Sequence, residues 1–221
     1  RPIHIIDLAY RSAAAGKAKS AGLPRVVSLG CRTDDVIIDV LPNDAARYGK
    51  HFYGEIWPKA KRAAAAVAAL LTKEGFKAAA CNSGGLMGLP KMAARLAGLG
   101  WIGKSSLLIT PEAGPRVIWE TVLTDAPLPV TASEPPERRC GTCRRCVDIC
   151  PVKAYVEGPF DERDPIAKRF DRGKCQSYRS KLGMFGAGAC GLCVQVCPFG
   201  RKDELGKLEL QQPGAAEEVA R

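Results

Sequence analysis

Histidine is almost absent from this chain. Only His4 and His51 occur among 221 residues, and both are read as surface or packing residues. No apolar run reaches the roughly eighteen residues of a membrane-crossing helix. The longest, residues 63–71, is bounded by Lys61, Arg62, Lys73 and Glu74 and is expected to be a core helix. A charged N-terminal segment followed by an apolar stretch is also lacking, so no secretory signal is read. The expected location is the cytoplasm, with no membrane partner. Arg1 stands where an initiator Met would, as in a trimmed chain or part of a longer one. Blocks of five or more basic residues are absent too, which weakens a nucleic-acid reading despite a formal net charge of +10.

What is abundant is cysteine. There are ten, and eight of them, from Cys140 to Cys197, fall in one short stretch; Cys31 and Cys81 lie apart in the front half and are read as free buried thiols. Disulfides need an oxidising compartment. Repeated Cys-x-x-Cys pairs without a secretion signal favour metal ligation.

Residues 140–151 read CGTCRRCVDICP. The spacing C-x2-C-x2-C-x3-C-P is the bacterial ferredoxin run, in which three cysteines hold one four-iron cube and the fourth reaches a second. A zinc site would show two pairs of ligands instead. The fourth cysteine is expected to start a helix with Pro151 in its first turn, where no N–H donor is needed. Residues 190–198, CGLCVQVCP, supply three more cysteines. If Cys150 crosses to the second cube, Cys197 crosses back. One [4Fe-4S] cluster is then held by Cys140, Cys143, Cys146 and Cys197. The other is held by Cys150, Cys175, Cys190 and Cys193, with Cys31 and Cys81 as more distant competitors for the place of Cys175. Each cluster with its thiolates carries about −2 when oxidised, so the loaded protein would lie near about +6. Two interleaved cubes are close, and together they make a path for single electrons.

The front half reads as mixed α/β. Residues 26–29 and 36–41 are short β-branched runs and are expected to be strands, as are 76–81, 107–110 and 117–123. Residues 55–74 have helical spacing, with Pro58 in the first turn and Gly75 at the end. Residues 90–96 form a second helix, with Gly98 past its end. Residues 126–138 (APLPVTASEPPER) read as a linker. Two glycine-rich stretches, 82–88 (NSGGLMG) and 98–106 (GLGWIGKSS), suit either tight turns or close approach to a ligand. Gly98, Gly100 and Gly103 match G-x-G-x-x-G, but after a helix rather than a strand, so no dinucleotide fingerprint is read.

Residues 97–128, AGLGWIGKSSLLITPEAGPRVIWETVLTDAPL, followed by the two cysteine motifs, resemble the epoxyqueuosine reductase and reductive dehalogenase superfamily. GLGWIGK is similar to the reductase version and ITPEAGPRV to the dehalogenase version. The resemblance implies an α+β chain: a nitroreductase-like α/β domain that binds cobalamin (1–130), a bacterial-ferredoxin-like two-cluster domain (131–202) and a tail (203–221). It implies electrons passing through the clusters to cobalt, which then reduces a small substrate. Gly98, Gly100, Trp101, Gly103, Lys104 and Ser105 would line the cofactor's polar edges or nucleotide tail, with Asn82, Ser83 and Gly84 near the same face. A ferredoxin- or flavodoxin-type donor is the implied electron source. A partner redox centre as acceptor, or tRNA as substrate, are the alternatives. One position departs from the pattern: the reductases' acidic proton donor corresponds here to the stretch 81–85 (CNSGG), and Asn82 cannot supply a proton as a carboxylic acid does. Tyr53, Glu120 and Asp125 are the other acids considered, each with a packing or turn role as the plainer reading. No catalytic residue is assigned.

Overall fold

Val26 and Val27 set the architecture of the first unit. They are neighbours on β2 (Arg25–Arg32), so their side chains leave opposite faces of the sheet. Val26 packs with Leu123, Ala93 and Ala97, whereas Val27 packs with Val122 and Ala64. Their cross-strand partners, Leu123 and Val122, lie on β6 (Val117–Thr124) and alternate in the same way. β1 (His4–Asp7) and β3 (Ala78–Cys81) complete an antiparallel sheet of order β1-β2-β6-β3, while β4 (Trp101–Ile102) and β5 (Leu108–Ile109) form a separate two-stranded sheet. One face carries α3 (Trp57–Lys73), which supplies Ala64; the other carries α4 (Leu89–Leu96), which supplies Ala93, with Ala97 just after it. These observations come from a computed structural model that describes residues 4–7, 22–81, 89–129, 137–158, 161, 164–183 and 189–201. Asn82, Ser83 and Gly84, most of the linker and the C-terminal tail lie outside them.

Three sequence expectations change. Residues 36–41 are not a strand: α1 (Asp35–Asp39) occupies them. Asp34 accepts a hydrogen bond from the Val36 N–H at 2.9 Å, and this N-cap outweighs the β propensity of Val36, Ile37 and Ile38. A second short helix, α2 (Ala45–Gly49), is capped the same way by Asp44 on the Arg47 N–H. The helix expected from residue 55 starts at Trp57, because Lys50–Ile56 is wound as a π-helix ahead of it. α3 is a core helix on one face only: Ala60 and Ala64 are buried, Val67, Ala68 and Leu71 pack beside them on the sheet, and Leu70 is exposed.

Gly75 and Gly98 end α3 and α4 identically. Both have positive φ (+89° and +74°). The N–H of Phe76 reaches Leu71 O and that of Gly75 reaches Thr72 O; Leu99 and Gly98 repeat this on Ala94 and Arg95. This is the Schellman closure, which glycine permits at no steric cost.

Compactness does not follow a single linear boundary at residue 130. The first unit comprises residues 1–33, 51–101 and 117–136; the second comprises 34–50, 102–116 and 137–221. The second unit thus gathers α1, α2 and the segment after Trp101 with the cysteine motifs. The reason is packing: a β-carbon on Gly191, between two cysteines, would strike Tyr48 and Leu41, and one on Gly200 would strike Arg116. Arg116 is 1% exposed and pairs with Asp35 at 3.1 Å and Asp39 at 2.6 Å, both on α1. No helix among the described residues is long and apolar enough to cross a membrane.

Candidate iron–sulfur centres

The first cysteine motif forms a loop and a short helix. Cys143 N–H donates to Cys140 O at 2.9 Å, and Gly141 takes a positive φ of +45° inside the turn. α5 (Arg145–Asp148) follows and ends before Cys150. Pro151 therefore lies in a turn after a helix, not in the first turn of one. The helix forms early because Val147 and Asp148 N–H groups bond back to Arg144 O. The Ala154 N–H then donates to Cys150 Sγ at 3.3 Å. In the second motif, α8 (Leu192–Gln195) separates Cys190 from Cys197. Cys197 precedes a 3-10 turn, Pro198–Gly200, whose first residue is the proline.

Cys140, Cys143, Cys146 and Cys197 line one void together with Gly103, Lys104, Ser105 and Phe199. Their electrostatics mark the same grouping. Burial first, then Cys193, Cys140 and Cys143, push the Cys146 thiol up to about 12. Burial followed by Cys140, Cys146 and Cys143 pushes Cys197 up as well, against the lowering effect of the Phe199 N–H. Around Cys193 the set changes. Burial lifts it to about 11, and Cys190, Cys175 and Cys150 add to the rise. Cys175 comes from α7 (Arg172–Lys181), after α6 (Ile166–Arg169). The two sets adjoin through Cys146 and Cys193. Crowding four thiolates is costly by itself, and cluster iron is the natural counter-charge.

Tyr155, which sequence reading missed, sits at the second set. It is buried, packs against Phe170 with ring centroids 5.2 Å apart, and is hydrogen-bonded to Cys193. Burial foremost, then the Cys193 charge, drives its phenol upward, so it stays a donor to the sulfur. No local pattern announces such a residue, since its partner lies 38 positions away.

Residues 139–200 match a 4Fe-4S double cluster binding domain, a span that includes all eight cysteines. Over 118 residues the chain is 39% identical to an epoxyqueuosine reductase of Atelocyanobacterium thalassa (isolate ALOHA), covering 51% of this chain and 37% of the relative. Over 110 residues it is 38% identical to that of Bacillus anthracis, covering 46% and 27%. Among solved structures, a catabolic reductive dehalogenase in complex with 3-bromo-4-hydroxybenzoic acid aligns at TM-score 0.62 and 22% identity, over 89% of this chain and 29% of that one. An epoxyqueuosine reductase from Streptococcus thermophilus aligns at TM-score 0.56 and 22% identity, over 85% and 52%. The chain thus carries a double-cluster domain, is similar in sequence to epoxyqueuosine reductases, and shares its fold with the epoxyqueuosine reductase and reductive dehalogenase structures. It spans about a third of the length of the curated relatives it matches.

The residues assigned from sequence to the superfamily's corrinoid have diverse placements. Gly98 closes α4. Gly100 and Trp101 are buried. Gly103 has no room for a β-carbon, which would meet Ile109, with Cys140 Sγ 3.5 Å away. Ser105 is buried at the void's edge. Lys104 Nζ donates to Gly141 O at 2.7 Å and Cys143 O at 3.0 Å, across the first cluster loop. Asn82, Ser83 and Gly84 lie outside the described residues. The three other acids have packing partners. Tyr53 meets Phe52 edge-to-face and Trp57 at a tilt, with ring centroids 4.9 and 5.7 Å away. Asp125 accepts from the Lys77 N–H at 2.8 Å. Glu120, 1% exposed, accepts from Trp57 Nε1 at 3.3 Å, and burial raises its carboxyl above the usual range.

The lysine's position has an electrical consequence. A fixed ammonium beside a cluster favours the added electron. Replacing Lys104 with Met is expected to lower the potential of one cluster by on the order of 50 mV, as a half-screened charge several ångströms away would. Lys104→Arg should stay near the original value. Redox titration followed by electron paramagnetic resonance reads both; equal potentials in Lys104→Met would remove this role.

Proposed function

We propose that this chain is the electron-conducting part, and at least some of the cofactor-binding part, of an iron–sulfur oxidoreductase of the epoxyqueuosine reductase type. Cys140, Cys143, Cys146 and Cys197 hold one [4Fe-4S] cluster, and Cys150, Cys175, Cys190 and Cys193 hold the other. The two sites would pass single electrons from one to the other, and a corrinoid held beside them would supply the chemistry at a small substrate. A corrinoid, once reduced, supplies a cobalt centre that is both a nucleophile and a strong reductant.

The observation that carries this reading is the void shared by four cysteines and Gly103-Lys104-Ser105. The GLGWIGKSS segment, which resembles the reductases most, adjoins a cluster site rather than a surface loop. The lysine fits a polar ligand as well: an ammonium has three N–H donors, and two are used on Gly141 and Cys143. The chain's own part is then to hold the first cluster loop, keep water from the sulfurs with Ile109 and Phe199, and offer Gly103 and Ser105 at the rim.

Iron and cobalt analysis of anaerobically purified protein, with a cobalamin titration, tests the proposal. The expected result is about eight irons and saturable binding of about one cobalamin per chain. Full iron with no corrinoid binding would replace the reductase reading by plain electron transfer to a partner's redox centre. A tRNA substrate is the second reading. It is favoured by the epoxyqueuosine reductases that the chain resembles, one of which was solved with an epoxyqueuosine-modified tRNA stem loop. Retention of the loaded protein on such a stem loop at moderate salt would support it.

A further inference from the structure

α7 has an unusual composition for a helix that carries a cluster ligand. It reads RGKCQSYRSK and has no fully buried residue and no acid. Cys175, Tyr178 and Arg179 are half-buried, and by helical spacing they share the inner face. Arg179 faces the cluster set, where its charge lowers the Cys190 thiol against the larger effect of burial. Lys174 and Lys181, seven residues apart, share one exposed flank, and exposed Arg172 lies on another. None of these three makes a salt bridge among the described residues.

The cations near the first cysteine motif differ. Arg144 pairs with Asp148 and Glu157, each at 3.5 Å. Arg138, Arg139 and Arg145 have partners of their own. Lys174, Lys181 and Arg172 thus leave exposed positive charge at the ligand helix of the Cys175 set, with the N-cap carboxylate of Asp171 at its start. An exposed group of like charges steers oppositely charged partners to that point and raises their on-rate.

We infer that the outer flank of α7, centred on Lys174 and Lys181, is the docking surface for an acidic one-electron carrier protein, and that electrons enter at the cluster ligated by Cys175. This rests on the two-cluster reading above, but not on the corrinoid. With a flavodoxin as carrier, the anionic flavin hydroquinone loses one electron and becomes the neutral semiquinone. The receiving cluster goes from the 2+ to the 1+ state, and no proton need move.

Stopped-flow reduction of the loaded protein by an acidic flavodoxin hydroquinone tests the inference. Lys174→Glu/Lys181→Glu is compared with the unmodified chain, each at its verified iron content. The expected result is a loss of tenfold or more in the second-order rate at low ionic strength, with a flatter salt dependence. Reduction by methyl viologen radical, a small cation, should not slow. Lys59→Glu/Arg62→Glu on α3 changes net charge equally and should leave the flavodoxin rate within about twofold. Lys174→Gln/Lys181→Gln gives a milder loss if the double reversal cannot be loaded.

An unchanged flavodoxin rate in both α7 variants overturns the inference. So does equal slowing with methyl viologen, since the conduit itself would be damaged. Unchanged reduction combined with lost retention on a tRNA stem loop would assign the flank to nucleic acid instead. Failure of flavodoxin to reduce the unmodified protein also overturns it, while the corrinoid reading, measured through cobalt, would stand or fall separately.

Discussion

Replacing Cys197 with alanine is expected to lower the iron content from about eight to about four atoms per chain. The cluster lost is the one whose other ligands stand some fifty residues upstream. Cys175→Ala should lower iron by the same amount through the other cluster. Pairs of substitutions make the distinction. Under the crossed assignment, Cys140→Ala/Cys197→Ala removes two ligands of one cluster and leaves about four irons. Cys175→Ala/Cys197→Ala removes one ligand from each and leaves almost none. If each motif kept its own fourth cysteine, the two double variants would exchange their results. Iron analysis with Mössbauer spectroscopy decides. The physical ground for crossing is the grouping of charges: Cys197 is raised by Cys140, Cys146 and Cys143, whereas Cys193 is raised by Cys190, Cys175 and Cys150.

Gly114→Ala should be the most damaging substitution outside the cysteines. Gly114 has φ +55°, and a β-carbon there would run into the Gly200 N–H and the Phe199 carbonyl. These are backbone atoms, so no side chain can swing aside. The turn that holds Gly114 is itself fixed, by paired backbone bonds with Thr110 at 2.9 and 3.0 Å and by Thr110 Oγ1 accepting from Ala113 at 3.0 Å. Positive φ costs alanine about 1–2 kcal/mol, and overpacking costs about 1–3 kcal/mol more. The displaced segment is the one that follows Cys197. Faster iron release to a chelator is therefore expected along with a lower unfolding temperature. Gly75→Ala is the control: its φ is +89°, but nothing lies within 4 Å of the added carbon. It should lose only about 1 kcal/mol and keep the unmodified rate of iron release. Comparable release rates for the two would mean that the contact with Gly200 does not brace the cluster site.

The parts of the molecule that sequence reveals are those with short-range causes. Three cysteines two apart and a fourth before proline describe a cluster loop by spacing alone. Val26 and Val27, and the run from Val117, announce strands because β-branched side chains fit a pleated surface. Gly75 and Gly98 announce helix ends. Residues 36–41 mislead for an equally local reason, since one aspartate ahead of them caps a helix. What local pattern does not contain is the partner of a distant residue. Arg116 looks like an ordinary surface arginine until Asp35 and Asp39 arrive from some eighty positions earlier. Lys104 reads as a ligand-binding lysine of a glycine-rich turn, but its hydrogen bonds go to Gly141 and Cys143. Tyr155 reads as one aromatic among few, yet it serves a cysteine.

The Arg116 clamp and the seat of Tyr48 on Gly191 impose an order in time. Residues 34–50 leave the ribosome early, but the surfaces that they brace are not made until about residue 200. At typical synthesis rates the wait is on the order of ten seconds. During that interval Ile38, Leu41 and Tyr48, all buried in the finished fold, have no native neighbours from the second cysteine motif. It follows that a fragment beginning after the linker, cut as a ferredoxin-like module, would contain every cluster cysteine and still lack two of its supporting helices. On the crossed assignment, loading iron would be a late event, one that closes a loop through most of the chain.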